Sequence, residues 1–256
     1  MNGPIGLHGG GEYGHGDEPF LDALIVAARR AAAKRHHDGD GNGAAAFLRI
    51  VILPTAAARG RPDRAAAMGI AALTRRVDGL GQPFRVEVAE VLDAASASDP
   101  VNVALLADAD LIHLPGGDPD LIPTILADTP ALDAIRAASE RGAVIAGASA
   151  GGMALADWSW TPGGGVRGLG FVAGLALVPH YDDIRRTSWQ EALDRLAPGG
   201  IGYLGLDERT GALSDGLTTA GGRRWRVSGP GAAYWFARGA LEPTVARHGE
   251  TIEIPV

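Results

Sequence analysis

Apolar and polar positions alternate along this chain in two registers. Short runs such as Ile5-Gly6-Leu7-His8, Phe47–Leu53, Phe84-Arg85-Val86-Glu87-Val88, Leu111-Ile112-His113-Leu114 and Ala143-Val144-Ile145-Ala146 are four to seven residues long and bounded by Gly or Pro, as strands are. Between them lie Ala-rich stretches with helical spacing. Pro19 to about Ala33 puts Leu21, Leu24, Ile25 and Ala28 on one face. Asp63 can cap a helix to about Arg76, and Asp99-Pro100, Asp118-Pro119 and Thr129-Pro130 each place Pro at a first helical position. Strands alternating with helices predict a doubly wound, mostly parallel α/β sheet with helices on both faces, a three-layer arrangement.

After Trp160 the rhythm changes. Glycines cluster, and short strands at Gly202–Leu206, Arg224–Ser228 and Ala233–Phe236 follow one another, with Thr187–Leu196 the one helical stretch. This part is expected to extend the sheet and close over its edge. No internal repeat is visible, so residues 1–256 are read as a single domain.

The most informative stretch is Gly147-Ala148-Ser149-Ala150-Gly151, with an apolar strand before it and a small-residue helix from Gly152 after it. Strand, Gly-x-Ser-x-Gly turn and helix make a nucleophile elbow, in which the turn lifts the serine hydroxyl above the sheet edge. A bare glycine-rich turn has the same pattern; a phosphate loop does not, because Met153 stands where that motif needs lysine. In an open parallel sheet ligands bind beyond the carboxyl ends of the strands. Gly9-Gly10-Gly11-Glu12, Pro115-Gly116-Gly117-Asp118 and Ser149 all fall at such ends. Gly116-Gly117 and Ala150 can supply backbone N–H groups to an oxyanion.

A serine needs a base, and the base an orienting acid. By position His180 and His248 are the candidates for the base, while Asp207 and Glu208 end the apolar run Ile201–Leu206 and one of the two can face the site. Asp215 with His248 would instead make an esterase of the α/β-hydrolase kind. A binding protein without turnover is the other alternative. The polar run His36–Gly43 reads as a solvated loop and lacks metal-ligand spacing.

Composition narrows the classes. A net charge of −7 with no basic stripe argues against nucleic acid. The absence of cysteine removes disulfides and a thiolate nucleophile. No apolar stretch reaches the length of a membrane span, and no secretory signal precedes the first strand, so a cytoplasmic protein is expected.

The ordered set Leu-Pro-Gly-Gly-Asp, Gly-Ala-Ser-Ala-Gly-Gly, Val-Pro-His-Tyr and Gly-Leu-Asp-Glu-Arg-Thr resembles the dipeptidase E and cyanophycinase family of serine peptidases, from Gly9 to about Thr210. The resemblance implies a fold related to class I glutamine amidotransferases, with Ser149 as nucleophile, His180 as base, Glu208 as orienting acid, and Gly117 and Ala150 as the oxyanion hole. It implies a dipeptidase or exopeptidase acting on small, aspartyl-type peptides, without metal or organic cofactor. Gly116, Asp118, Arg185 and Arg186 are the expected substrate contacts, the arginines through a carboxylate. Pro119 and Val178-Pro179 depart from the cyanophycinase pattern. Self-association into a homodimer is left open.

Overall fold

The computed structural model describes residues 3–38, 47–161, 164–182, 186–217 and 222–255. The first half alternates as the pattern predicts: β1 (Ile5–His8), α1 (Glu18–Asp38), β2 (Leu48–Ile52), α2 (Pro62–Val77), β3 (Phe84–Val88), α3 (Pro100–Asp108), β4 (Leu111–Leu114), α4 (Leu121–Leu126), α5 (Pro130–Glu140), β5 (Val144–Ala148) and α6 (Ala150–Leu155). Then come β6 (Ala156–Thr161), β7 (Gly164–Arg167), β8 (Val172–Val178), α7 (Arg186–Leu196), β9 (Gly202–Leu206), β10 (Gly211–Leu217), β11 (Gly222–Ser228), β12 (Ala232–Phe236), β13 (Thr244–Arg247) and β14 (Thr251–Pro255).

The main sheet has the order β14-β11-β10-β1-β5-β4-β2-β3. Its five strands from β1 to β3 are parallel, and β10, β11 and β14 continue it antiparallel. The chain steps outward from β1 to β2 and β3 through α1 and α2, then returns through β4 to β5. Right-handed crossovers put the outward and returning helices on opposite faces. Alternate strand residues record this. Leu48, Ile50 and Ile52 pack with Phe20, Leu24 and Leu73 of α1 and α2, whereas Val51, Leu53, Ile112 and Ile145 pack with Leu106, Ile122 and Ile135 of α3–α5. Both faces are therefore covered, and each fully buried Leu or Ile stabilises the fold by about 1.5–3 kcal/mol.

Beyond α6 the structure corrects the expected extension of one sheet. Only β10, β11 and β14 extend it. Six strands form a second sheet, ordered β13-β12-β9-β8-β6-β7, with β6, β8 and β9 parallel. The reason is visible in burial: β8 and β9 are almost wholly buried, and their Leu175, Leu177, Leu204 and Leu206 join the core shared with β1 and β5. One face of these strands buries against the first half, and on the other Ala176 and Val178 of β8 pack with Leu193 of α7 and Phe236 of β12.

Three local expectations also shift. α1 runs on to Asp38, so His36 and His37 are helical, because Arg35 near its end pairs with buried Asp110 of the turn into β4 (Nη2–Oδ2 2.7 Å). The rest of the expected polar loop lies outside the described residues. Arg61, not Asp63, holds the N-cap position of α2, without a side-chain capping hydrogen bond; Asp63 sits inside the first turn and binds Arg61, whose hydrogen bond lowers its carboxyl to about 2. Asp118-Pro119 closes a turn, with Asp118 Oδ1 accepting from the Asp120 N–H at 3.0 Å, and α4 begins only at Leu121.

Candidate active site

β1, β2, β4 and β5 all end at one edge of the main sheet, and the site is assembled there. Ser149 follows β5 directly and adopts φ 47°, ψ −116°, a conformation costly for a residue with a Cβ. Its backbone is clamped on both sides: the Ser149 N–H donates to the His8 carbonyl (2.9 Å), and its carbonyl accepts from Met153 N–H (2.8 Å). The motif glycines permit the tight turn, since a Cβ on Gly151 would stand 2.0 Å from the Leu114 carbonyl oxygen and one on Gly147 2.4 Å from the Gly151 backbone.

His180 arrives from the second sheet, two residues beyond β8. It too has positive φ (52°), and its N–H donates to the Gly9 carbonyl at 2.7 Å. Its Nε2 lies 3.1 Å from Ser149 Oγ and its Nδ1 2.7 Å from Glu208 Oε1. A carboxylate only accepts, so Nδ1–H donates to Glu208 and the bare Nε2 accepts from the serine hydroxyl. Gly10 forms the seat of the ring: at φ 104° its missing Cβ would stand 2.3 Å from His180 Cε1.

Glu208 lies in the turn that carries the chain from β9 in the second sheet to β10 in the first. Its N–H donates to Asp182 Oδ1 at 3.0 Å. The neighbouring Asp207 points the other way, where its Oδ2 accepts from Ala232 N–H (2.8 Å) and burial pushes its carboxyl up. Of the adjacent pair left open by the sequence, Glu208 is the one on the histidine.

Beneath the Gly9–Gly10 turn lies a buried polar network that sequence reading did not anticipate. Gly10 N–H donates to His8 Nδ1 (3.2 Å), which leaves the His8 proton on Nε2, 2.8 Å from Asp17 Oδ1. Burial would raise Asp17, but its contacts with His8 and with the Tyr13 N–H outweigh that and hold it below the usual carboxylate range. Tyr13 OH and His113 Nδ1 share a hydrogen bond of 2.8 Å, and burial lowers His113 to about 4. His113 thus sits in the core as a neutral, satisfied residue. A lone histidine inside the apolar run Leu111–Leu114 reads from the sequence as a satisfied core or ligand-facing residue, whereas Tyr13 and Asp17, in the connection from β1 to α1, carry no such signal.

The other expected residues divide. Gly117 lies beside Ser149's neighbour Gly116, and among the described residues its N–H makes no hydrogen bond. Ala150 opens α6, where first-turn N–H groups have no helical partner. Gly116 N–H is taken by Glu12 Oε1 at 2.7 Å. Asp118 pairs with Arg59 (3.3 Å) as well as holding its own turn. Arg185 lies outside the described residues, and Arg186 opens α7 with its side chain likewise outside them. His248 is exposed near the β13–β14 turn, its Nδ1 accepting from Gly229 N–H (3.3 Å), while the serine hydroxyl faces His180. Asp215 lies in β10, its side chain not described.

A strand–serine–helix elbow facing a histidine and a carboxylate, on a parallel α/β sheet, has the layout of a serine hydrolase. The family model for peptidase family S51 matches residues 48–212, and the chain belongs to that family. It is a serine peptidase. A solved structure of a peptidase from an acI-B1 Actinobacterium is similar over 99% of this chain and 98% of that one, with TM-score 0.76 and 26% identity. A putative peptidase E protein from Listeria monocytogenes EGD-e is similar over 96% of this chain and 99% of that one, with TM-score 0.52 and 14% identity, a likeness of fold. No curated protein matches. Among the described residues no helix is long and apolar enough to cross a membrane.

Proposed function

We propose that the protein hydrolyses small peptides, as a dipeptidase or exopeptidase, through an acyl-enzyme on Ser149. The observation that carries this is the relay Ser149 Oγ–His180 Nε2–His180 Nδ1–Glu208 Oε1, at 3.1 and 2.7 Å. Ser149 Oγ attacks the scissile carbonyl carbon as its proton passes to His180 Nε2. Glu208 keeps Nδ1 protonated, fixing the tautomer and stabilising the imidazolium. Gly117 and Ala150 N–H groups bind the developing oxyanion, which a single lost donor would penalise by about 2.7–4 kcal/mol.

The C–N bond then breaks, and the leaving amine takes the proton from Nε2. Water enters, His180 takes one of its protons, and the hydroxide oxygen bonds to the acyl carbon. Collapse of that second tetrahedral species returns the proton to Ser149 and frees the acid. The cycle closes without an external oxidant, reductant or metal.

The test is a fluorophosphonate probe read by intact mass. Wild type should gain one adduct, and Ser149→Ala none. An unlabelled, folded wild type, or equal labelling of Ser149→Ala, would overturn the assignment.

A further inference from the structure

The relay leaves a neighbouring feature unused. A cavity of about 560 Å³ opens between the β2–α2 connection and the β4 turn. Its walls include Ala56, Ala57, Ala65, Met68 and Pro115, and Gly117 and Glu12 line the side towards Ser149. Gly116 ties the parts together: the place its Cβ would take is 3.0 Å from Glu12 Oε1 and 3.2 Å from Ser149 Cβ. A carboxylate therefore stands beside the serine at the mouth of an apolar cavity. Its Oε1 is held by Gly116 N–H, and among the described residues no cation pairs with it.

We infer that this cavity seats the N-terminal residue of the substrate, an apolar one, with Glu12 holding its free ammonium; the inference rests on Ser149 being the nucleophile. Covalent geometry supports the placement. An α-ammonium nitrogen is about 2.5 Å from the carbonyl carbon of its own residue, given standard bond lengths and angle. A carboxylate that binds it must then lie within a few Å of the carbon the serine attacks, which is where Glu12 stands.

The side chain of that residue enters between the alanines, Met68 and Pro115. Glu12 repels an acidic side chain. Of the three lining arginines, Arg59 and Arg61 already serve carboxylates of the protein, Asp118 at 3.3 Å and Asp63 at 2.8 Å, and among the described residues Arg64 makes no ion pair. Glu12 thereby also sets the direction of reading, since a peptide buried in mid-chain has no ammonium to offer.

The experiment compares leucyl-alanine, Nα-acetyl-leucyl-alanine, aspartyl-alanine and glycyl-alanine, with product release followed by chromatography on the full-length protein. Leucyl-alanine should be the best of the four. Acetylation should lower kcat/KM by about 10- to 100-fold, mostly through KM, the span expected for one charge-assisted hydrogen bond. Glu12→Gln keeps an acceptor for Gly116 N–H and removes the charge, so it should lower kcat/KM for leucyl-alanine by that same factor and close the gap to the acetylated peptide. Ala65→Phe fills the cavity and should move the preference from leucyl- to glycyl-alanine. Equal cleavage of free and acetylated peptides, or preference for aspartyl-alanine, overturns the inference. So does a wild type that takes the fluorophosphonate adduct yet leaves leucyl-alanine intact. A wild type that takes no adduct instead removes the serine assignment itself.

Discussion

Replacing Gly10 by Ala tests whether the histidine is held by the absence of a side chain. The added methyl would lie 2.3 Å from His180 Cε1 and 2.6 Å from Nε2. Carbon atoms rest at about 3.5–4.0 Å, so the ring must retreat by more than about 1 Å or tilt away from Ser149. It starts from a 3.1 Å hydrogen bond, which does not survive that displacement. A misplacement of about 1 Å at a reacting centre costs about 100-fold in rate. The substitution also forces a Cβ onto φ 104°, a strain of about 1–3 kcal/mol, each kcal/mol lowering Tm by about 2–4 °C. Strain and ring displacement are separated by Gly11→Ala, at φ 67°, whose Cβ would first meet the flexible Arg209 side chain at 3.3 Å. The assay is the second-order rate of fluorophosphonate labelling together with thermal unfolding. Gly10→Ala should lose both rate and stability, and Gly11→Ala stability alone. If Gly10→Ala labels within about threefold of wild type, the ring is not seated as described.

Acidification should weaken the fold through His113. Its pKa is about 4 when folded against 6.5 when unfolded, so the unfolded chain binds the extra proton between those values. Stability is therefore full above pH 6.5 and falls as pH drops towards 4, by up to about 3 kcal/mol. Urea midpoints across that window should fall less steeply in His113→Gln, and identical slopes would refute the argument. Glu208→Gln should slow labelling of Ser149 by about 10²- to 10⁴-fold, as loss of an orienting carboxylate does, whereas Asp207→Asn should not; the reverse pattern would exchange their roles. Asp17→Ala leaves His8 buried without its partner and should cost about 1–3 kcal/mol in chemical denaturation.

The parallel half of the fold was legible because its signals are local. Apolar runs such as Ile50–Leu53 alternate between two covered faces, and Asp99 and Thr129 cap the helices that follow them, as Asp-Pro and Thr-Pro suggested. The second sheet was not legible. Its strands β8 and β9 read as short apolar runs whose partners are non-local, and no spacing in the sequence says which sheet a strand joins. The same division holds for the site. Ser149 announced itself through two glycines, and His180 and Glu208 through strand ends and resemblance. Glu12 did not, because its position is meaningful only through Gly116, 104 residues away, whose N–H it holds. The His8–Asp17 pair was hidden likewise, since burial of both partners, at 1% exposure each, depends on the packed turn above them.

Ser149 belongs to the main sheet, His180 to the end of a strand in the second, and Glu208 to the turn that crosses between them. The hydroxyl–imidazole distance is thus a gauge of how the two sheets are registered. A slip of about 0.5 Å along their seam, too small to expose core side chains, is enough to lengthen that hydrogen bond past its useful range. Heating or mild denaturant should therefore silence the serine before any spectroscopic sign of melting. Substitutions deep in the seam, at Leu177 or Leu204, would surface first as slow labelling in a protein that still looks intact.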